Sequence, residues 1–238
     1  MSAASPLFAF TGVVKPYGGP QPLKISQLSF VAGDRVVLAG LDDLAAEMFM
    51  HVLTGAALPE SGRIEVFGQS THDIATDTQW LASLDRFGLV SNRAVLLDQS
   101  TMAQNLALPM TLSIDPMADD VRAAVERMAS DVGLAADRLD ALAGTTTPEE
   151  RMRVHLARAI ALTPDVLLLE HPTTSLGESA AAFGESLRAL ADARGLSWLA
   201  ISNDVAFQRA SGGRVLHLDS ATGRVRPAGG SWWRWFST

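Results

Sequence analysis

The sequence predicts an α/β fold: a mostly parallel sheet covered by helices, joined to a smaller antiparallel β part. Three observations carry this prediction. Val166-Leu167-Leu168-Leu169 is apolar without alternation, the signature of a strand buried on both faces. Strand-like and helix-like segments alternate along much of the chain, which calls for parallel pairing. The first third instead holds short alternating runs, Leu7 to Val14 and Leu23 to Val31, that read as antiparallel strands around the turn Tyr17-Gly18-Gly19-Pro20.

The elements follow in order. Asp34 to Ala39 is a buried strand running into Gly40, and Leu44 to Leu53 has helical spacing that stops at Gly55. Gly62 to Gly68 encloses a strand, and Phe87 to Val90 is a short apolar one. Helical spacing takes over from Met102 to Arg138, interrupted by Pro109 and Pro116, with Ala118 to Val132 the clearest amphipathic stretch. Glu149 to Leu162 is a second clear helix, and Ser179 to Arg194 a third, ended by Gly195. Leu196 to Ile201 is the next buried strand. Arg214 to Leu218 and Arg224 to Arg226 close the fold as a hairpin about Thr222-Gly223.

Composition narrows the function classes. The chain has 238 residues, 47% of them hydrophobic and 19% charged, which suits a packed core. A net charge of −7 leaves no electrostatic footprint for nucleic acid. Without cysteine there are no disulfides or thiolate metal ligands, which fits a reducing compartment. The start, Met1-Ser2-Ala3-Ala4-Ser5-Pro6, lacks the pattern of a signal peptide, and no apolar run is long enough to span a bilayer. The expectation is a cytosolic chain.

The most informative segment is residues 40–48, between a strand and a helix. A phosphate-binding loop has this layout and the pattern G-x-x-x-x-G-K-[ST]. Here Gly40 remains, but Ala45 stands for the second glycine, Ala46 for the lysine and Glu47 for the hydroxyl, followed by Met48. Each lost charge-assisted hydrogen bond costs roughly 1.5–3 kcal/mol, so the loop predicts triphosphate binding weakened by at least ~10³-fold. The acids Asp42, Asp43 and Glu47 have two readings: repulsion of a triphosphate, or its replacement at a helix N-terminus.

Several further segments, in order, resemble the nucleotide-binding subunit of an ABC transporter over about residues 7–227. Tyr17-Gly18 resembles the aromatic turn that stacks adenine. Asn92 stands where such subunits carry the Q-loop glutamine, and Asn105-Leu106-Ala107-Leu108-Pro109 resembles lipid and lipoprotein exporters. Arg153 to Ala161 resembles the helix after the signature motif, Pro164 to Thr173 the strand with the Walker B acids, and Ile201-Ser202-Asn203-Asp204 the switch-histidine segment. The resemblance implies a P-loop NTPase core over 1–91 and 160–230, an inserted helical subdomain over 92–159, and a Trp-rich tail over 231–238.

Position by position, the family's chemistry is replaced. Glu170-His171 stands for the Asp–Glu pair; His171 is either a base near neutral pH or a polar residue at a strand end. Asn203 replaces the switch histidine and Asn92 the longer glutamine, and Gly177 stands at the D-loop aspartate. The signature position reads Thr146-Thr147-Pro148-Glu149-Glu150, where Pro148 has no N–H and Glu149 adds negative charge; the run is instead a good helix start, with Thr147 as cap. Tyr17 either stacks a base or packs beneath its turn.

The replaced positions point to a pseudo-ATPase, a structural or regulatory subunit without expected cofactor, metal or catalytic residues, and the resemblance implies a place peripheral at the inner face of the cell membrane. Its expected partners are a membrane permease and a homologous ATPase subunit, in a homo- or heterodimer. The alternative is an ATP- and Mg-binding half paired with a competent one. Residues Val90 to Met110 are expected to line a docking groove or to be ordinary core. The tail Trp232-Trp233-Arg234-Trp235-Phe236 is expected either at a membrane or partner interface, or folded back over an apolar face.

Overall fold

A computed structural model describes residues 5–91 and 93–228. Among these, one sheet is antiparallel with strand order β2-β1-β4-β5, formed by β1 (Phe8–Lys15), β2 (Leu23–Phe30), β4 (Ser61–Val66) and β5 (Gln69–Ser70). The second runs β10-β9-β3-β8-β7-β6. In it β3 (Arg35–Ala39), β6 (Phe87–Ser91), β7 (Val166–Glu170), β8 (Ser197–Ile201) and β9 (Arg214–Asp219) are parallel, and β10 (Arg224–Pro227) adds an antiparallel edge. The expected strands are all present, within a residue or two at their ends.

Burial explains the sequence patterns. Every residue of β7 and β8 is buried, as their apolar runs require. The parallel sheet separates two apolar clusters. One joins it to α1 (Asp43–Leu53) and the antiparallel sheet through Phe8, Phe10, Phe30 and Phe49; Phe10 and Phe49 stack at 5.1 Å. The other joins it to α3 (Met102–Ala107), α4 (Asp119–Asp131), α5 (Pro148–Ile160) and α6 (Ala180–Arg194).

Two helices were not expected from the sequence. α2 (Asp77–Leu84) buries none of its residues, so it carries no apolar stripe; Thr76 caps it and Trp80 ties it to the Thr54 carbonyl at 2.9 Å. α7 (Val205–Ala210) is a six-residue helix begun by Asp204, whose side chain accepts from Phe207 N.

Candidate functional site

The C-terminal ends of parallel strands place loops and helix starts around one crevice. At the end of β3, Gly40 adopts φ 97°, and a Cβ there would lie 2.4 Å from the Leu218 carbonyl. Only glycine fits that approach. The chain then turns into α1, where Asp42 is the N-cap: its carboxylate accepts from Ala45 N at 2.8 Å. Asp42 is thus a helix cap at this turn, whereas Asp43 is 89% exposed at its side chain.

Asn203 closes the loop from the neighbouring strand. β8 pairs with β3, so the residue after β8's end region faces the residue after β3. Asn203 Oδ1 accepts from Gly40 N at 2.8 Å, and Asn203 Nδ2 donates to the Leu41 carbonyl at 2.9 Å. One side-chain amide thus clamps both faces of the turn. On α1, Ala46 is completely buried and Met48 packs partly buried against the core.

The charged centre lies one helical turn further in. Asp43 and Glu47 share a face of α1 at i, i+4 spacing, and that face meets the end of β7. Ser91 and Glu170 are register partners on β6 and β7, and the Ser91 hydroxyl donates to Glu170 Oε2 at 3.0 Å. Arg93, just beyond β6, forms ion pairs with both Glu47 and Glu170. Glu170 is 7% exposed at its side chain, so this is a nearly buried carboxylate neutralised by one guanidinium. Ser91 Oγ also accepts from Arg93 N at 3.1 Å.

His171 turns out of β7 at φ 40°, a left-handed conformation uncommon outside glycine but tolerated by His. Its backbone N–H donates to the Ile201 carbonyl at 2.9 Å. Its Nε2 stands 3.7 Å from Asp43 Oδ1, buried without a hydrogen-bond partner among the described residues.

Tyr17 is partly buried against the same cluster as the antiparallel sheet, and its ring closes over Gly19, where a Cβ would meet it at 2.4 Å. Burial first, then the nearby Asp42 carboxylate, raises its phenol pKa. Tyr17, Gly40, Leu41, Asp42, Ala45 and Ser220 line a pocket of about 230 Å³.

The signature-position residues lie apart from this crevice, at the start of α5. Thr147 and Glu150 form a complete capping box with Pro148 in the first turn. Glu150 pairs with Arg138 at 2.6 Å and Glu149 with Arg153 at 2.8 Å, and these guanidiniums hold both carboxyls below their usual pKa. Thr146 Oγ1 donates to the Ala143 carbonyl. Asn92 and the Trp-rich tail lie outside the described residues.

A groove of about 370 Å³ runs between the β6 edge and α5, lined by Phe87, Leu89, Ala94, Leu108, Pro109 and Leu162, among others. Within 90–110, Met102 and Leu106 are wholly buried core residues and Met110 is partly buried against that core, while Ala94, Leu108 and Pro109 line the groove. His155 and Arg158 also line the groove; burial, then Arg158 and Arg151, pushes His155 down to about 4. No helix of the described residues is long and apolar enough to cross a membrane.

Residues 23–174 fit the sequence profile described as ABC transporter. This chain belongs to the ABC transporter family. Among relatives of this ABC chain is the lipoprotein-releasing system ATP-binding protein LolD of Nitratidesulfovibrio vulgaris, 27% identical over 179 residues, covering 74% of this chain and 76% of that one. Another is the phosphonates import ATP-binding protein PhnC 1 of Natronomonas pharaonis, 31% identical over 172 residues and 71% of each chain. The dimeric ATP-binding cassette MJ0796, in a post-hydrolysis state bound to ADP and Pi, superposes with a TM-score of 0.73 at 19% identity, over 94% of this chain and 100% of the other. That likeness concerns the fold.

The geometry brings together Gly40, Ala45, Ala46, Glu47, Glu170, His171 and Asn203, and leaves residues 146–150 elsewhere. Sequence reasoning missed Arg93. Its signal was charge complementarity: a cation next to Asn92, with acids at both 47 and 170.

Proposed function

We propose that this ABC subunit is a pseudo-ATPase, kept as a structural or regulatory component that docks a membrane permease. The observation that carries the reading is the Asn203 clamp: the Gly40 amide, the first donor of a phosphate-binding loop, is spent on this chain's own side chain. Three features add to it. Ala46 offers no charge, Arg93 stands between the carboxylates at 47 and 170, and Pro148 and the capping box use up the helix start at the signature position. These residues do not fit a magnesium–triphosphate unit.

The groove beside β6 is the docking surface in this reading, and the chain sits peripherally on the inner face of the membrane beside a homologous ATPase subunit. Residues 92–159 act as the helical subdomain that carries one wall of that groove. A second reading, a nucleotide-binding half of a heterodimeric transporter, draws support from the 230 Å³ pocket beside Tyr17. Co-purification from membranes, followed by Mg-ATP titration of the complex, separates the two. The expected result is a recovered permease and no micromolar binding to this chain. Micromolar Mg-ATP retained at Gly40 and Tyr17 would refute the proposal.

A further inference from the structure

We propose that Arg93 is the resident cation of the crevice, an internal staple that fixes the segment leaving β6 without any need for nucleotide or metal. The inference rests on the self-filled reading of the pocket and adds what holds it shut. One guanidinium carries five N–H donors in a rigid fork and can satisfy two carboxylates at once. Arg93 does so with Glu47 from α1 and Glu170 from β7, two elements that also share an apolar cluster. The register pair Ser91–Glu170 sets Glu170 in place, and Ser91 Oγ accepts from the Arg93 amide, so backbone and side chain of Arg93 are anchored at the same spot.

The staple reaches the docking groove within two residues. Ala94 lines the groove, and Arg158 of α5 donates to the Val95 carbonyl at 3.4 Å. The pocket's charge balance and the groove's wall are therefore one continuous piece of chain. Without Arg93, Glu47 and Glu170 face each other uncompensated, and Glu170 is nearly buried. The segment then loses its anchor, and the groove loses a fixed edge.

Hydrogen–deuterium exchange on the full chain, wild type against Arg93→Gln, reads the staple directly. Amides of residues 93–97 are expected to exchange ~10-fold faster or more in the variant. Arg63→Gln, which removes the exposed pair with Glu65 at 2.9 Å, leaves them unchanged. Should Arg93→Gln not fold, thermal midpoints replace exchange: adding Glu170→Gln to it removes the stranded, nearly buried charge and restores folding in part. Unchanged exchange at 93–97, or no restoration by Glu170→Gln, overturns the proposal. Micromolar Mg-ATP binding by the wild-type chain sinks the underlying reading instead. A chain that binds no Mg-ATP, yet keeps 93–97 protected after Arg93→Gln, sinks the staple alone.

Discussion

His155 gives the chain a built-in sensitivity to mild acid. It lies on α5 at the groove floor, 7% exposed, and its imidazole is held neutral: burial lowers its pKa from 6.5 to about 4, helped by Arg158 and Arg151. The unfolded chain therefore binds a proton that the folded chain refuses. Stability rises with pH wherever the unfolded state holds more protons. The contribution is complete above about pH 6.5 and drains away as pH falls toward about 4. At ~1.36 kcal/mol per pH unit the whole window is worth on the order of 3 kcal/mol, of which about 2 fall between pH 7 and 5. Urea denaturation of wild type and His155→Gln at pH 7, 6 and 5 checks this. Glu149 and Glu150, whose pKa values are lowered, lose their contribution only at more acid pH, and their effect cancels in the comparison. The wild type should weaken over this range and the variant should stay nearly level. Parallel curves would refute the assignment of a neutral, buried His155.

Two further substitutions test the local geometry. Thr147→Ala removes the cap whose hydroxyl accepts from Glu150 N at 3.2 Å, and should cost ~1 kcal/mol, seen as a fall of roughly 2–4 °C in Tm by calorimetry. Gly40→Ala forces a Cβ against the Leu218 carbonyl in a left-handed backbone and should cost at least ~2 kcal/mol in chemical denaturation; a neutral result would mean that the turn after β3 is built differently.

The fold was legible where burial writes a pattern. Val166–Glu170 and Ser197–Ile201 are buried throughout, and their composition says so. α2 was not, because a helix that buries nothing leaves no period to read. The site divides in the same way. Local chemistry was visible: the acids at the start of α1 and Thr147 before Pro148 follow from neighbours in sequence. Arg93 and the Asn203 clamp were not, since each depends on partners brought together by strand order. Asn203 meets Gly40 only because β8 lies beside β3, and Arg93 meets Glu170 only because β6 lies beside β7. The place of the Tyr17 ring over Gly19 likewise depends on the fold.

The exchanges at this crevice make physical sense as a set. Glu47 alone would face Glu170 across the end of β7 with nothing between them, an arrangement that low-dielectric surroundings penalise heavily. Arg93 alone would be a cation with no reason to turn inward. Together they cancel two of the three charges at the end of β7. Asn203 does for the loop's polar backbone what Arg93 does for its acids, giving Gly40 N and Leu41 O partners from within the chain. A loop that had merely lost its ligand groups would leave those backbone groups to water or to a passing anion. Here both are matched by one side chain, Asn203 from the loop after β8; on the function proposed above, restoring nucleotide binding would require undoing Asn203 and Arg93 as well as rebuilding Lys at position 46. Single reversions at the loop should therefore fail to bind Mg-ATP, and only the combination that also vacates the clamp and the staple should recover it.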